Sequence, residues 1–263
     1  MPYSQQNQIF NPQTAYTKIT TGIKEFFKKA GFTKAVLGVS GGIDSALTLK
    51  LLADALKPEN VTGLIMPEYG ITKDENTSHA KKLCDFLGAN RHLIPINKYL
   101  MDFLQLPWRP SNIAQMNIKA RLRGIILYNF ANTEEALVVG TSNKSELMLG
   151  YGTKFGDLAC DLMPLGDLYK TEIYALAEHL GLPKEIIEKA PSAELYKDQT
   201  DEKELGSTYQ ELDQILREFE AEIIESQQNM QIETNLSPLA KEIRQRIQKN
   251  EHKSKTPYII KLC

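Results

Sequence analysis

The sequence predicts an α/β protein: a doubly wound parallel sheet flanked by helices, with a helical C-terminal extension. Three observations predict it. Four short, mainly apolar runs at 35–39, 61–66, 91–96 and 136–140 alternate with stretches of helical periodicity, the pattern of buried parallel strands joined by crossover helices. The first run breaks into Ser40-Gly41-Gly42-Ile43-Asp44-Ser45 and then resumes at helical spacing, which reads as a strand, a phosphate-cradling turn and a helix start. After Pro191 the composition becomes polar and charged before two further helical segments.

In chain order, 14–29 carries an apolar stripe of Tyr16, Ile19, Ile23, Phe26 and Phe27, the spacing of an amphipathic helix. It leads through Gly31 into the first strand, and a helix is predicted from Ser45 to about Leu56. The second strand ends at Pro67, and a turn at Gly70 and a helix over 76–87 follow. Beyond the third strand, a long helix over 112–130 leads to the fourth. The strand C-termini of such a sheet form its ligand-binding edge, which would gather Gly38, Val39, Ser40, Met66, Pro67, Glu68, Gly140 and Thr141. The segment 192–204 is rich in charge and short of apolar anchors, so a mobile loop is expected there. Helices over about 208–225 and 237–250 would form a C-terminal part, 208–263, of one domain spanning 1–263.

The turn after the first strand has a definite chemistry. Gly38, Gly41 and Gly42 allow close approach of the backbone to a ligand, and Ser40 and Ser45 add hydroxyls. Free N–H groups at a helix start favour a polyphosphate. A carboxylate repels bare phosphate, so Asp44 reads as a ligand for a divalent cation riding on that phosphate. The turn is neither the G-x-x-x-x-G-K-[ST] loop nor the G-x-G-x-x-G fingerprint, because no lysine follows the glycines and their spacing differs. The plain alternative is an ordinary βα turn with Asp44 or Ser45 as helix cap. Glu146, near the same edge, reads as a first-turn acid favoured by the helix dipole or as a second carboxylate for the cation.

Composition excludes several classes. With 263 residues and 42% hydrophobic content the chain can bury a full core. Its 31 basic and 33 acidic side chains leave a net charge of -2, against a surface built for nucleic acid. Cys84, Cys160 and Cys263 lie far apart with no C-x-x-C pair, as in a reduced cytoplasmic protein. There is no basic-then-apolar leader and no apolar run of membrane-span length, so a cytoplasmic protein without membrane association is expected.

Further motifs follow the turn: NIKARLR (117–123), GTSNKSE (140–146), GYGTKFGDLACDLMPL (150–165), LYKTEIYALAEHLGLP (168–183), KAPSAEL (189–195), TDEKELGSTYQELD (200–213) and EHK (251–253). In this order they resemble the NAD synthetases, N-type ATP pyrophosphatases that amidate deamido-NAD. SGGIDS alone is shared across the ATP pyrophosphatases; the ordered set spans most of the chain. The resemblance implies that Gly38, Val39, Ser40, Gly41, Gly42, Ile43, Asp44, Ser45, Thr141, Lys170 and Ser192 contact ATP. It implies that Asp44 and Glu146 bind Mg²⁺ and that Asp44, Glu146 and Lys170 carry the catalysis. Arg121, Lys154, Asp157, Asp161, His252 and Lys253 are assigned by it to deamido-NAD. Ile118, Leu122, Ile125, Ile126 and Phe130 read as core packing by default, while the resemblance makes their helix part of a homodimer interface. Many members have Arg-Leu-Pro after the second strand where this chain has Met66-Pro67-Glu68, so adenine contacts are expected to be apolar or to backbone.

The implied reaction has two steps. The nicotinate carboxylate of deamido-NAD attacks the α-phosphate of Mg-ATP, giving an acyl adenylate and pyrophosphate; ammonia then displaces AMP. The first strand begins too near the N-terminus for a preceding glutaminase domain, so free ammonia is the expected nitrogen source. A tRNA-thiolating enzyme would use the same loop but needs a cysteine pair that this sequence lacks. A nucleotide sensor without turnover is the rival from another class, and only an assay for product separates it.

Overall fold

The computed structural model describes residues 10–192, 195–196, 199–227 and 236–261. Helix α1 (Pro12–Ala30) starts where the Asn11 side chain accepts the Thr14 N–H, and it stops at Gly31, whose φ of 77° a helix cannot continue. There follow β1 (Lys34–Gly38), α2 (Ile43–Leu56), β2 (Val61–Ile65), α3 (Asp74–Leu87), β3 (Asn90–Leu93), α4 (Asn97–Leu100), α5 (Asn112–Glu134), β4 (Ala136–Val138), α6 (Lys144–Leu149), α7 (Lys170–His179), α8 (Lys184–Ile187), α9 (Asp201–Leu205), α10 (Tyr209–Gln227) and α11 (Pro238–Asn250). The strands form one parallel sheet in the order β3-β2-β1-β4, with Ala35 beside Val61 and Lys34 beside Ala136.

Strand periodicity decides the layers. Ala35, Leu37 and Val39 point to one face and pack with α1, α2, α3 and α7, while Val36 points to the other and meets Leu122 and Ala131 of α5. Both faces of β1 are therefore covered, which is why its run is apolar without alternation. Leu47 of α2 is fully buried in the first layer. Leu47→Ala is expected to cost about 2–5 kcal/mol of stability, read from urea denaturation, through lost transfer energy plus the cavity left behind. A separate small core joins Leu149, Tyr169, Leu205, Tyr209, Leu212, Leu216, Phe219 and Ile243, so α9, α10 and α11 pack onto α6 and the start of α7.

The expected sheet and helix order is present, with shifted boundaries. Gly42 takes the cap position of α2, so the helix starts at Ile43 and Asp44 lies in its first turn instead of preceding it. The strand expected to reach Ile96 ends at Leu93 because Pro95 has no N–H, although Ile94 and Ile96 still donate to the carbonyls of Ile65 and Pro67. Beyond β4, Val139 pairs in parallel with Leu162, which pulls the downstream motif onto the sheet edge.

The segment expected as a loop over 192–204 is helical at its end, in α9. Gln199 and Asp201 are 6% and 4% exposed. The Tyr151 hydroxyl donates to Asp201 at 3.1 Å and to Glu204 at 2.6 Å, and the Asp201 N–H donates to the Pro191 carbonyl. Polar contacts thus anchor what apolar side chains do not. Residues 193–194 and 197–198 of that segment, and Cys263, lie outside the described residues.

Candidate active site

A cleft of about 1090 Å³ opens along the strand C-termini, where a doubly wound sheet binds its ligands. Its floor is the turn between β1 and α2. The Ser45 hydroxyl accepts the Ser40 N–H at 3.2 Å and donates to the Gly42 carbonyl at 3.0 Å, while Ser40 Oγ accepts the Gly42 N–H at 3.2 Å. This wiring holds the loop around the N-terminus of α2. Gly41 has φ of 80°, and a Cβ there would sit 2.3 Å from the Asn76 carbonyl oxygen, so the loop closes only on glycine.

Three charged side chains meet beside the turn. Lys170, at the start of α7 and 1% exposed, places its Nζ 2.6 Å from Asp44 Oδ2 and 3.6 Å from Glu146 Oε1. Asn143 holds the acids in place: its side chain donates to Asp44 Oδ1 at 2.9 Å and accepts the Glu146 N–H, while Glu146 Oε2 accepts the Asn143 N–H. The last two bonds form a capping box at the start of α6. Burial, and then the Asp44 carboxylate, push Glu146 up to about 8 against the opposing charge of Lys170. For Lys170, burial disfavours the ammonium, but Asp44 and Glu146 outweigh it and hold its pKa above that of a free lysine.

The donor set fits a cation delivered with a nucleotide. Two carboxylates share one ammonium, and Glu146, whose pKa is raised first by burial and then by Asp44, would be favoured in its ionised form by a further cation. Mg²⁺ is commonly held by one or two carboxylates and completes its shell with water and phosphate oxygens. Among the described residues no cluster of three or more His, Cys, Asp or Glu is placed to hold a metal ion.

Of the residues anticipated for the nucleotide, all but Gly41 line this cleft: Gly38, Val39, Ser40, Gly42, Ile43, Asp44, Ser45, Thr141, Lys170 and Ser192, and Glu146, anticipated for the metal, lines it as well. Asp157 and Lys253 line it too. Lys253 Nζ donates to the Gly150 carbonyl at 2.8 Å, and Asp157 Oδ1 accepts the Thr153 N–H at 2.7 Å, bracing the turn that carries Lys154. Arg121, Lys154 and His252 form a chain of contacts outside the lining. The Arg121 guanidinium donates to the Lys154 carbonyl at 3.3 Å, and Lys154 Nζ donates to the His252 carbonyl at 2.5 Å.

Asp161 is not brought to this group. Its oxygens accept the Tyr128 hydroxyl and the Val138 N–H, and it lines a separate cavity of about 350 Å³ with Phe32, Tyr128 and Asn132. The cause is the strand-like pairing of its own backbone with β4. On α5, Leu122 is buried against the sheet and Ile126 and Phe130 pack beside it, whereas Ile125 is 62% exposed. Burial pushes the thiols of Cys84 and Cys160 up to about 11, which disfavours their thiolates.

Sequence reasoning missed Asn143, Asp201 and Tyr209. Asn143 stands three residues before Glu146, and that N-x-x-E spacing is itself a legible capping-box signature. Asp201 reads as one more charge in a polar run, yet it is buried with its carboxylate accepting the hydroxyls of Tyr151 and Tyr209. Tyr209 lies with its ring 5.1 Å from Lys170 Nζ. Arg123, which the residues alone leave unassigned, reaches the end of β2 and donates to the Met66 carbonyl at 3.1 Å.

A parallel sheet with a glycine turn at its edge, beside two carboxylates and a buried lysine, defines a nucleotide-binding α/β protein. A family model described as NAD synthase matches residues 15–257, and the chain belongs to that family. The NH(3)-dependent NAD(+) synthetase of Fusobacterium nucleatum is 42% identical over 257 residues, spanning 96% of this chain and 97% of that one. The enzyme of the same name from Methanocaldococcus jannaschii is 45% identical over 248 residues, spanning 91% and 93%. Among solved structures, NMN synthetase from Francisella tularensis superposes with a TM-score of 0.85 at 32% identity, covering 96% of this chain and 99% of that one. NH3-dependent NAD synthetase from Campylobacter jejuni gives 0.80 at 36% identity, covering 96% and 100%.

Proposed function

We propose that this chain is an ammonia-dependent NAD synthetase, a ligase that amidates deamido-NAD at the expense of ATP, giving NAD, AMP and pyrophosphate. The observation that supports this most is the meeting of Lys170, Asp44 and Glu146 at the glycine turn, in a cleft that also takes in Asp157 and Lys253. The turn and the start of α2 bind the triphosphate through backbone N–H groups and the helix dipole. Asp44 and Glu146 would hold Mg²⁺, which when bound neutralises charge on the phosphates. The Lys170 ammonium offsets negative charge as the nicotinate carboxylate attacks the α-phosphorus and pyrophosphate departs. Ammonia then adds to the acyl adenylate, AMP leaves with the acyl C–O bonding pair, and the new amide nitrogen loses a proton. No covalent nucleophile is needed; positioning and charge do the work. Gln199, Asp201 and Glu204, which line the cleft, would help to shield the adenylate from water.

Ile113 and Ile125 of α5 are exposed apolar side chains that a second copy could cover, and a homodimer in the cytoplasm is the proposed form. No helix among the described residues is long and apolar enough to cross a membrane.

Incubation with Mg-ATP, ammonium and deamido-NAD, with NAD read by its absorbance after enzymatic reduction, tests the reading. Parallel reactions with nicotinate mononucleotide as acceptor, and with glutamine as nitrogen donor, should give far less product. NMN formed in preference to NAD would reassign the acceptor, and no amide product from either would leave the sensor. Lys154→Ala is expected to raise the KM for deamido-NAD roughly 10-fold or more, the cost of one charged hydrogen bond, and to move that for ATP less. Steady-state kinetics on both substrates checks this, and an equal rise in both would put Lys154 in the nucleotide half of the site.

A further inference from the structure

The motif TDEKELGSTYQELD ends on an aspartate to which the reaction above gives no part. Asp213 lies on α10, is 1% exposed, and is not among the residues that line the cleft. A carboxylate so buried needs partners, and it has two. Oδ1 accepts the Ser145 hydroxyl at 2.5 Å, and Oδ2 accepts the Thr171 N–H at 2.8 Å. Ser145 Oγ in turn accepts the Lys170 N–H at 2.9 Å. One carboxylate therefore captures the N-terminus of α7 both directly and through Ser145, with the charge placed where the helix dipole favours it.

The two segments it ties are those whose next residues face the nucleotide. Ser145 precedes Glu146, and Thr171 follows Lys170, whose ammonium must meet Asp44 at 2.6 Å and Glu146 at 3.6 Å. We propose that Asp213 is a positioning residue: its buried carboxylate joins α6 to the start of α7 and so sets the spacing between Glu146 and the Lys170 ammonium. The helical extension is thereby part of the cation-handling machinery of the body. Two turns along the same helix, Glu220 accepts from Lys144, one residue before Ser145, and from the Tyr169 hydroxyl, two residues before Thr171. This inference rests on the proposed reading of the site.

The test uses the full chain with Asp213→Asn, which keeps the shape but turns one acceptor into a donor facing another donor. Its kcat for NAD formation should fall about 10- to 100-fold, the range for groups that orient metal-binding residues, with the KM for deamido-NAD within about twofold. Binding of Mn²⁺ in the presence of a non-hydrolysable ATP analogue, followed by electron paramagnetic resonance, should weaken about 10-fold. Ser145→Ala removes the other end of the link and should act in the same direction, and the double variant should lose less than the product of the two single losses. As a control, Glu222→Gln breaks the Glu222–Arg244 pair between α10 and α11; it should lower the melting temperature and leave kcat and Mn²⁺ binding unchanged. The proposal is overturned if Asp213→Asn and Ser145→Ala keep wild-type Mn²⁺ affinity, or if their losses match the fraction unfolded by circular dichroism. Absence of NAD from the wild-type chain would instead defeat the reading of the reaction, while Mn²⁺ binding still decides the role of Asp213.

Discussion

Asp44→Asn is expected to lower turnover by about three orders of magnitude while the protein remains folded. The amide keeps the size of the carboxylate and an oxygen for the Asn143 donor, so the capping box at α6 and the start of α2 are preserved. What is lost is a full negative charge in a site where Lys170 Nζ lies 2.6 Å from one carboxylate and 3.6 Å from the other. Glu146 alone then has to hold the ion, and charge stabilisation worth several kcal/mol is forfeited at about 1.36 kcal/mol per tenfold in rate. The measurement is kcat at saturating Mg²⁺, ATP and deamido-NAD, beside a thermal melt. A variant with near wild-type kcat at high Mg²⁺ would remove Asp44 from the metal site.

Gly41→Ala is the second large effect, and it works through the backbone. The new Cβ lies 2.3 Å from the Asn76 carbonyl oxygen and 3.1 Å from its carbon, at a φ of 80° that L side chains rarely adopt. Asn76 is fully buried near the start of α3, so that carbonyl cannot retreat cheaply. Left-handed backbone and overpacking together cost roughly 2–5 kcal/mol. Part of that is relieved by moving the turn, which takes the phosphate-facing N–H groups out of register and weakens ATP binding by roughly 100-fold or more. Calorimetric titration with Mg-ATP and a thermal melt report the two parts. Gly42→Ala is the contrast: its φ is -93° and the nearest atom to an added Cβ is Ser40 Oγ at 3.4 Å, so its stability should change much less. Equal destabilisation by the two substitutions would show that the Asn76 contact is not the cause.

The sheet, its parallel sense and the turn at its edge were legible because each rests on a local rule. Unbroken apolar runs mark strands covered on both faces, and Gly-Gly ahead of helical spacing marks a backbone that must turn sharply and leave N–H groups free. Asp44 and Glu146 were legible in the same way, as acids at helix starts near one edge of the sheet, whereas Lys170 came only with the resemblance to the NAD synthetases. Boundaries shifted by two or three residues where a cap or a proline intervened, as at Gly42 and Pro95.

Local chemistry thus pointed to the fold class, the nucleotide turn and two acids beside it, Asp44 and Glu146. Which polar residues act together was decided only by the tertiary structure, because burial and pairing depend on segments far apart in the chain. Asp201 and Asp213 look in sequence like charges of a solvated surface, yet each is buried and satisfied by partners from other elements: Tyr151 for one, Ser145 and Thr171 for the other. Asp161 shows the converse, a residue within the motif that carries Asp157 which pairing with β4 directs to a different cavity. No periodicity encodes such contacts; they follow from desolvation, which leaves a buried carboxylate stable only where the fold delivers donors to it.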